Sequence, residues 1–473
     1  MTEPIVTAVP GKPNLLLGAY DVTDLGYVAE EFFISGTASS YAADGEVGSD
    51  GRWSVTRSGA ADYTTRMVVL RPVDDTRFNG TVLVEWLNVS GGIDAPAIWM
   101  MAHREVVREG YAHVVVSAQR VGVEGGASIL GDTPGISDMS LKTQDPVRYA
   151  RLRHPGDAFA YDIFSQIGRL VREQDRNGVL GPLTPELVLA VGESQSALYL
   201  TTYVNAVDPL AKVYDGFLIH SRFAGAAPLD GGPLVAPSGT DVPKAVTFRP
   251  DLRVPLITVI TETDLIGGHL AGYHLARQPD GERLRAWEIP GAAHADNYTI
   301  QVAPIDTGSA PLDAIVAAYA PTNNLLGVEL AHPINFAPQH HYVLQSALAG
   351  LHRWVRAGEP APHGPRIELS DADPPELVQD ANGLATGGVR TPWVDVPVAR
   401  TSGLSSDGSL MSAIFGSGEL LDADTLRRLY PNGTADYLER FEAALDMSIR
   451  SGFILTADRQ EILDLAALMY PAG

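Results

Sequence analysis

Short apolar runs recur along this chain, and the stretches between them place apolar residues at helical spacing. Segments 81–86 (TVLVEW), 111–117, 187–191 (LVLAV), 216–220, 254–260 and 284–289 read as buried strands. Between them, Asp94-Ala-Pro96 can cap and begin a helix that ends at Gly110. His154-Pro-Gly-Asp157 opens another, with Phe159, Ile163, Ile167, Leu170 and Val171 on one stripe, and a third starts near Gln195. Strands separated by helices cannot be joined as tight hairpins, so the pattern predicts a mostly parallel sheet with helices on both faces. Such sheets bind their ligands at the carboxyl ends of the strands. Upstream, 31–35 and an alternating segment ending at 66–70 are early strands. Downstream, 342–355 is an amphipathic helix with Leu344, Leu348, Leu351 and Val355 on one face, stopped by Gly358.

The 473 residues, 45% of them hydrophobic, suffice for one large core with appended parts. Residues 225–250 and 301–340 are irregular insertions that fit lids or pocket walls. Strand-like 394–399 and two later helices form a C-terminal extension, which predicts a core over 1–360 with 361–473 packed on it. A net charge of −23 offers no basic stripe for phosphate backbones or anionic headgroups, so neither nucleic acid nor a membrane surface is expected as a partner. Neither a basic start followed by an apolar run of roughly 7–15 residues nor a stretch of ~20 apolar residues is present, and a cytoplasmic location is expected. The chain has no cysteine, which removes disulfides, thiolate metal sites and cysteine nucleophiles.

One segment carries specific chemistry. Gly192-Glu-Ser194-Gln-Ser196 follows an apolar strand and precedes a helical run, the setting in which a sharp turn exposes a serine. Its neighbours two residues away must be small, and Gly192 and Ser196 are. Gly403-Leu-Ser405 contains the same short pattern without a flanking strand or helix. A serine hydroxyl needs a base at neutral pH, and imidazole titrates in that range. His294, in Gly291-Ala-Ala-His294 beyond the strand at 284–289, is the candidate. In the exit loop after 254–260, Asp264 is the expected acid and Glu262 the alternative; either could instead cap a following helix. The order Ser194, Asp264, His294, each just past a strand end, is the one a nucleophile-elbow hydrolase requires.

Acyl transfer also needs backbone donors aimed at a developing oxyanion. Gln195 supplies one, and Asn88, in the glycine-rich loop after 81–86, is the candidate for the second. Arg222 follows the strand at 216–220 and could grip a substrate carboxylate or form a structural ion pair. His340-His341 lack a third ligand at suitable spacing, and neither a phosphate loop nor a dinucleotide fingerprint is found, so no metal and no cofactor are expected.

Seven segments taken together, EFFISGTASSY, VLVEWLNVSGG, HPGDAFAYDIFSQ, GESQSA, FLIHSR, VITETD and GLATGGVRTPWVDVPVA, resemble the alpha/beta hydrolase domain-containing proteins of bacteria and fungi. They span nearly the whole chain. The resemblance implies the α/β-hydrolase fold, includes the C-terminal region in one unit, and implies a serine esterase-like site at Ser194, Asp264 and His294. Glu193 and Ser196 depart from the residues common in generic lipases. The expected activity is hydrolysis of a small carboxylic ester through an acyl-enzyme. The alternatives are acyl transfer or other chemistry in the same pocket, and a non-catalytic binding protein that keeps the fold.

Overall fold

A computed structural model describes residues 3–126, 139–173, 178–234, 243–268, 270–405 and 408–471. Nine strands form one sheet: β1 (Ile5–Val9), β2 (Tyr27–Ala43), β3 (Val55–Pro72), β4 (Thr81–Trp86), β5 (Ala112–Val116), β6 (Leu187–Glu193), β7 (Gly216–His220), β8 (Leu256–Thr261) and β9 (Leu284–Ile289). Their order is β1-β2-β3-β5-β4-β6-β7-β8-β9. Pairing is antiparallel from β1 through β3 to β5 and parallel from β5 to β9. The helices that matter to the site are α1 (Ala97–Glu109), α2 (Ala160–Arg172), α3 (Gln195–Thr202), α4 (Glu262–Ile266) and α5 (Gln339–Ala357).

Every residue of β4 is buried, which is why its run is mostly apolar rather than alternating, Glu85 being the charged exception. Val82 and Val84 pack into the core under α2 and α3, and Leu83 into the core under α1 and α5. The early strands are far longer than 31–35 and 66–70 suggest: β2 and β3 form a hairpin with a bulge between Ser39 and Tyr41, and this pairing carries polar residues along.

Asp94 does not cap α1. It lies buried, 2.8 Å from the guanidinium of Arg66 and hydrogen-bonded by Ser117. The helix start is held instead by Glu85 of β4, which accepts the N–H groups of Ile98 (2.7 Å) and Trp99 (3.3 Å).

In the C-terminal part, Pro392–Asp395 is a helical turn, not the start of a strand. Proline suits the first helical position, and Pro397 has no N–H for a ladder, so the strand β10 begins only at Ala399 and ends at Ser402. It pairs antiparallel with β11 (Ser417–Leu420), and α6 (Leu410–Phe415) lies between them in sequence. Helices α7 (Thr434–Arg450) and α8 (Arg459–Met469) add Phe441, Leu445, Ile462 and Leu465 to the core under α1 and α5. Segment 225–250 is described except for 235–242, which lies outside the described residues; Ala227 N–H donates to Leu198 and Thr247 N–H to Ser49. Among the described residues no helix is long and apolar enough to cross a membrane.

Candidate active site

Ser194 sits between β6 and α3 with φ 59° and ψ −116°, a backbone conformation a non-glycine residue adopts only when its surroundings impose it. The imposing contacts come from the neighbouring strand β7 and from the start of α3. Ser194 N–H donates to His220 O (3.0 Å), and α3 folds back so tightly that a Cβ on Gly192 would stand 2.9 Å from Leu200 and 3.1 Å from the Cβ of Ser196. A side chain at 192 would crowd both Ser196 and Leu200, so glycine there eases the turn that carries serine at 196.

The loop after β9 carries His294 back over the ends of β8 and β7. Asp264 Oδ1 accepts from His294 Nδ1–H at 2.5 Å, which leaves the Nε2 lone pair to accept the Ser194 hydroxyl at 2.8 Å. The other carboxylate oxygen, Oδ2, accepts from the N–H and the hydroxyl of Thr261, both at 2.8 Å, so Asp264 is fixed in a capping box at the head of α4. Burial alone would depress the His294 pKa. The charge and hydrogen bond of Asp264, with a smaller part from Glu193, outweigh it and leave the imidazole more basic than usual.

Glu262, the alternative acid, is two residues from Asp264 and points elsewhere. Its carboxylate accepts Gly291 N–H (2.6 Å), Ser402 Oγ–H (2.7 Å) and Gly403 N–H (2.8 Å). It is therefore a buckle between the histidine loop and the C-terminal segment. That segment crosses the site closely: Thr263 donates to Gly403 O (2.5 Å) and accepts His294 N–H (3.1 Å), while Ala295 N–H donates to Ile414 O (3.1 Å). A Cβ at Gly403 would stand 2.5 Å from both Thr263 N and Ala292 O, which explains the glycine of the second Gly-x-Ser pattern as a packing requirement.

The row opens into a cavity of about 160 Å³ lined by Leu198, Phe223, Leu270, Ile414 and Phe415 on its apolar side and by Asn88, Ser90, Glu193 and Gln195 on its polar side. Its described lining includes no residue of 225–250 or 301–340; the C-terminal helix α6 supplies the wall instead. Nothing in the amphipathic pattern of α6 signals this.

Gln195 begins α3, so its N–H is one of the first-turn amides that intrahelical bonding leaves free. Its side chain accepts Val89 N–H (3.3 Å) and ties the elbow to the loop after β4. In that loop the expected backbone donor fails: Asn88 N–H is engaged by Ala95 O at 3.0 Å. The side-chain amide of Asn88 is what faces the cavity, with Nδ2 donating one hydrogen to Glu193 O (3.2 Å) and Oδ1 accepting Ser90 N–H (2.8 Å). Its second N–H is a further donor on the cavity side of this loop, beside the hydroxyl of Ser90.

Arg222 is wholly buried and does not line the cavity. Its guanidinium donates to the carbonyls of Phe223, Ala224, Gly225 and Val246 and lies over Phe248 and Tyr273. Burial pulls its pKa down to about 10, against the opposing influence of Tyr273. It braces the turn after β7, and among the described residues it pairs with no carboxylate. His340 and His341 part company as adjacent helical residues must: His340 reaches His220 (Nε2 to Nε2, 2.8 Å) and Asp296 (3.1 Å), and His341 stacks on Tyr298. The row Asp296, His340, His220 runs buried beneath the elbow, and no sequence signal pointed to it. Among the described residues no group of three or more His, Asp or Glu could hold a metal ion.

A nine-stranded, largely parallel sheet with a serine elbow at one strand end and its histidine beyond the last strand defines the α/β-hydrolase class. The sequence profile described as Alpha/beta hydrolase domain matches residues 1–464, and the chain belongs to that family. Similar solved structures include a putative dienelactone hydrolase from Klebsiella pneumoniae (13% identity, 61% of this chain and 95% of that one, TM-score 0.30). Others are an esterase from Pyrococcus furiosus (12%, 58% and 86%, 0.27) and fungal esterases from Rhizomucor miehei (13%, 68% and 84%, 0.28). A comparison with curated proteins finds no match.

Proposed function

We propose that this hydrolase cleaves carboxylic esters by way of an acyl-enzyme on Ser194. The observation that carries the reading is the unbroken row Ser194, His294, Asp264, with links of 2.8 and 2.5 Å, opening on a small apolar cavity. His294 takes the Ser194 proton as Oγ attacks the acyl carbon, and Asp264 holds the tautomer and offsets the imidazolium charge. The N–H of Gln195 and the free side-chain hydrogen of Asn88 receive the oxyanion. His294 then gives the proton to the departing alkoxide, and a water activated by the same imidazole releases the acid.

In this reading residues 1–360 are the hydrolase core, and 361–473 is an extension that completes the site rather than an independent module. Ser402 and Gly403, which hold Glu262, and Ile414 and Phe415, which line the cavity, support it. The substrate is a small, uncharged ester, since the described lining carries six apolar or aromatic side chains from Leu198, Phe223, Leu270, Ala295, Ile414 and Phe415 and no cation apart from His294 itself.

A panel of esters with acyl and alcohol groups of graded size, run on the wild type beside Ser194→Ala, tests the proposal. Hydrolysis of the smaller members, with free acid and alcohol in equal amounts and no turnover by the variant, is the expected result. Transfer of the acyl group to an added alcohol in preference to water would replace hydrolysis by acyl transfer. Equal turnover by both proteins would remove Ser194 from the reaction.

A further inference from the structure

Glu193 stands where the elbow departs from the usual residue, and the steps above give its side chain no part. It ends β6 directly opposite His220 of β7. Because strand side chains alternate, it shares the sheet face of Leu189 and Val191, the face covered by α1 and α5. It also lines the cavity with Ser194 and His294. Among the described residues no N–H or O–H donates to its carboxylate and no Lys or Arg pairs with it.

The ionisable groups facing it come from four elements: His294 from the loop after β9, His340 from α5, Asp264 from α4 and Glu85 from β4. His220 sits beside it on β7. Packing against this cluster raises the Glu193 carboxyl to about 7, burial first, with Asp264 and Glu85 adding to it and the two imidazoles opposing. His294 in turn is made more basic by Glu193, after Asp264. His340 is already committed to Asp296 and His220, so the charge that can best satisfy an ionised Glu193 is the imidazolium of His294. Above the His294 midpoint, where the imidazole rests neutral, that cation forms as Ser194 surrenders its proton.

We propose that Glu193 is a positioning residue that acts through charge: a second anionic neighbour of His294 which, with Asp264, stabilises the imidazolium formed during attack. The inference rests on the roles given above to Ser194 and His294. Below about pH 7 Glu193 takes up a proton, and its support of His294 fades as the pH falls through that range. Each protonation affects the other, so the two groups titrate as a pair.

The test is an NMR titration of the full chain labelled with ¹⁵N-histidine, following the His294 ring, together with pH profiles of kcat/KM. In Glu193→Gln the His294 midpoint falls by about half a unit to one unit, and the acid limb of kcat/KM moves down with it. At optimal pH kcat drops roughly tenfold, while Glu193→Asp keeps most of the midpoint. In the unmodified protein the His294 curve carries a second inflection from Glu193, a reading that needs no variant to fold. An unmoved midpoint in Glu193→Gln, or a single-site curve in the wild type, overturns the proposal even if activity or melting temperature falls. The titration does not depend on turnover, so loss of the esterase reading in the ester panel would be recognised separately.

Discussion

The nucleophile half of the site and its acid–base half are built in opposite ways. Ser194 is held mainly by neighbours close along the chain, with Gly192 lying against Ser196 and Leu200 of α3, and by one backbone bond to His220 of the adjacent strand. The acid–base half is assembled across great sequence distance. Glu262 of α4 is bonded to Ser402 and Gly403, Thr263 to Gly403, and Ala295 to Ile414. A strained elbow can be encoded locally because its geometry is a steric exclusion. A histidine loop has no such local determinant, and its register is fixed here by a strap from the far end of the chain.

Within that second half, two carboxylates on one turn divide the labour, and exchanging each for its amide separates chemistry from architecture. Asp264→Asn is expected to lower kcat by about 10³–10⁴-fold while the melting temperature changes little, because Nδ1–H loses its acceptor and the wrong tautomer faces Ser194. Steady-state kinetics and a thermal melt on the same sample check both halves of that expectation. Next in size, Asn88→Ala should cost ~10²-fold or more in kcat with a smaller change in KM, the pattern of a donor used mainly in the transition state. A main-chain donor elsewhere in the loop would leave kcat nearly intact.

The strap makes the smaller claims. Phe415→Ala opens the wall of the cavity and should raise kcat/KM for bulkier esters by about tenfold relative to the smallest, read from the same graded panel. Glu262→Gln leaves Gly291, Ser402 and Gly403 with a weaker shared acceptor, and should lower stability by about 1–3 kcal/mol in denaturant unfolding with activity per folded molecule within about tenfold. If Glu262→Gln instead abolished turnover and Asp264→Asn did not, the assignment of the two carboxylates would be reversed. The mildest effect is on pH. The His294 pKa is raised above 6.5, and its neutral form is the base, so kcat/KM should fall as pH drops through a midpoint above that value.

The parallel strands from β4 to β9 were legible because each is short, buried on both faces and mostly apolar, with charged side chains such as Glu85 and Arg285 individually hydrogen-bonded. The serine turn was legible for the same reason its strain is local. The roles of Glu262, Asn88 and Arg222 were not, because each depends on which atoms are left unpaired after distant segments dock. Asn88 sits in the right loop, yet only its pairing with Ala95 reveals that the side chain, not the backbone, is available. The buried row of His220, His340 and Asp296 joins residues on β7, α5 and the histidine loop, a juxtaposition no periodicity encodes. The early hairpin outgrew its apolar signal because edge-ward strands can carry polar residues on a solvent face.

The central claim is that Ser194 is made nucleophilic by His294. Labelling with a fluorophosphonate, followed by mass spectrometry of the peptides, reads it directly. The account predicts a single adduct on Ser194 that disappears in His294→Ala while the fold, followed by circular dichroism, persists. An adduct on another serine, or equal labelling of Ser194 without the imidazole, would contradict it.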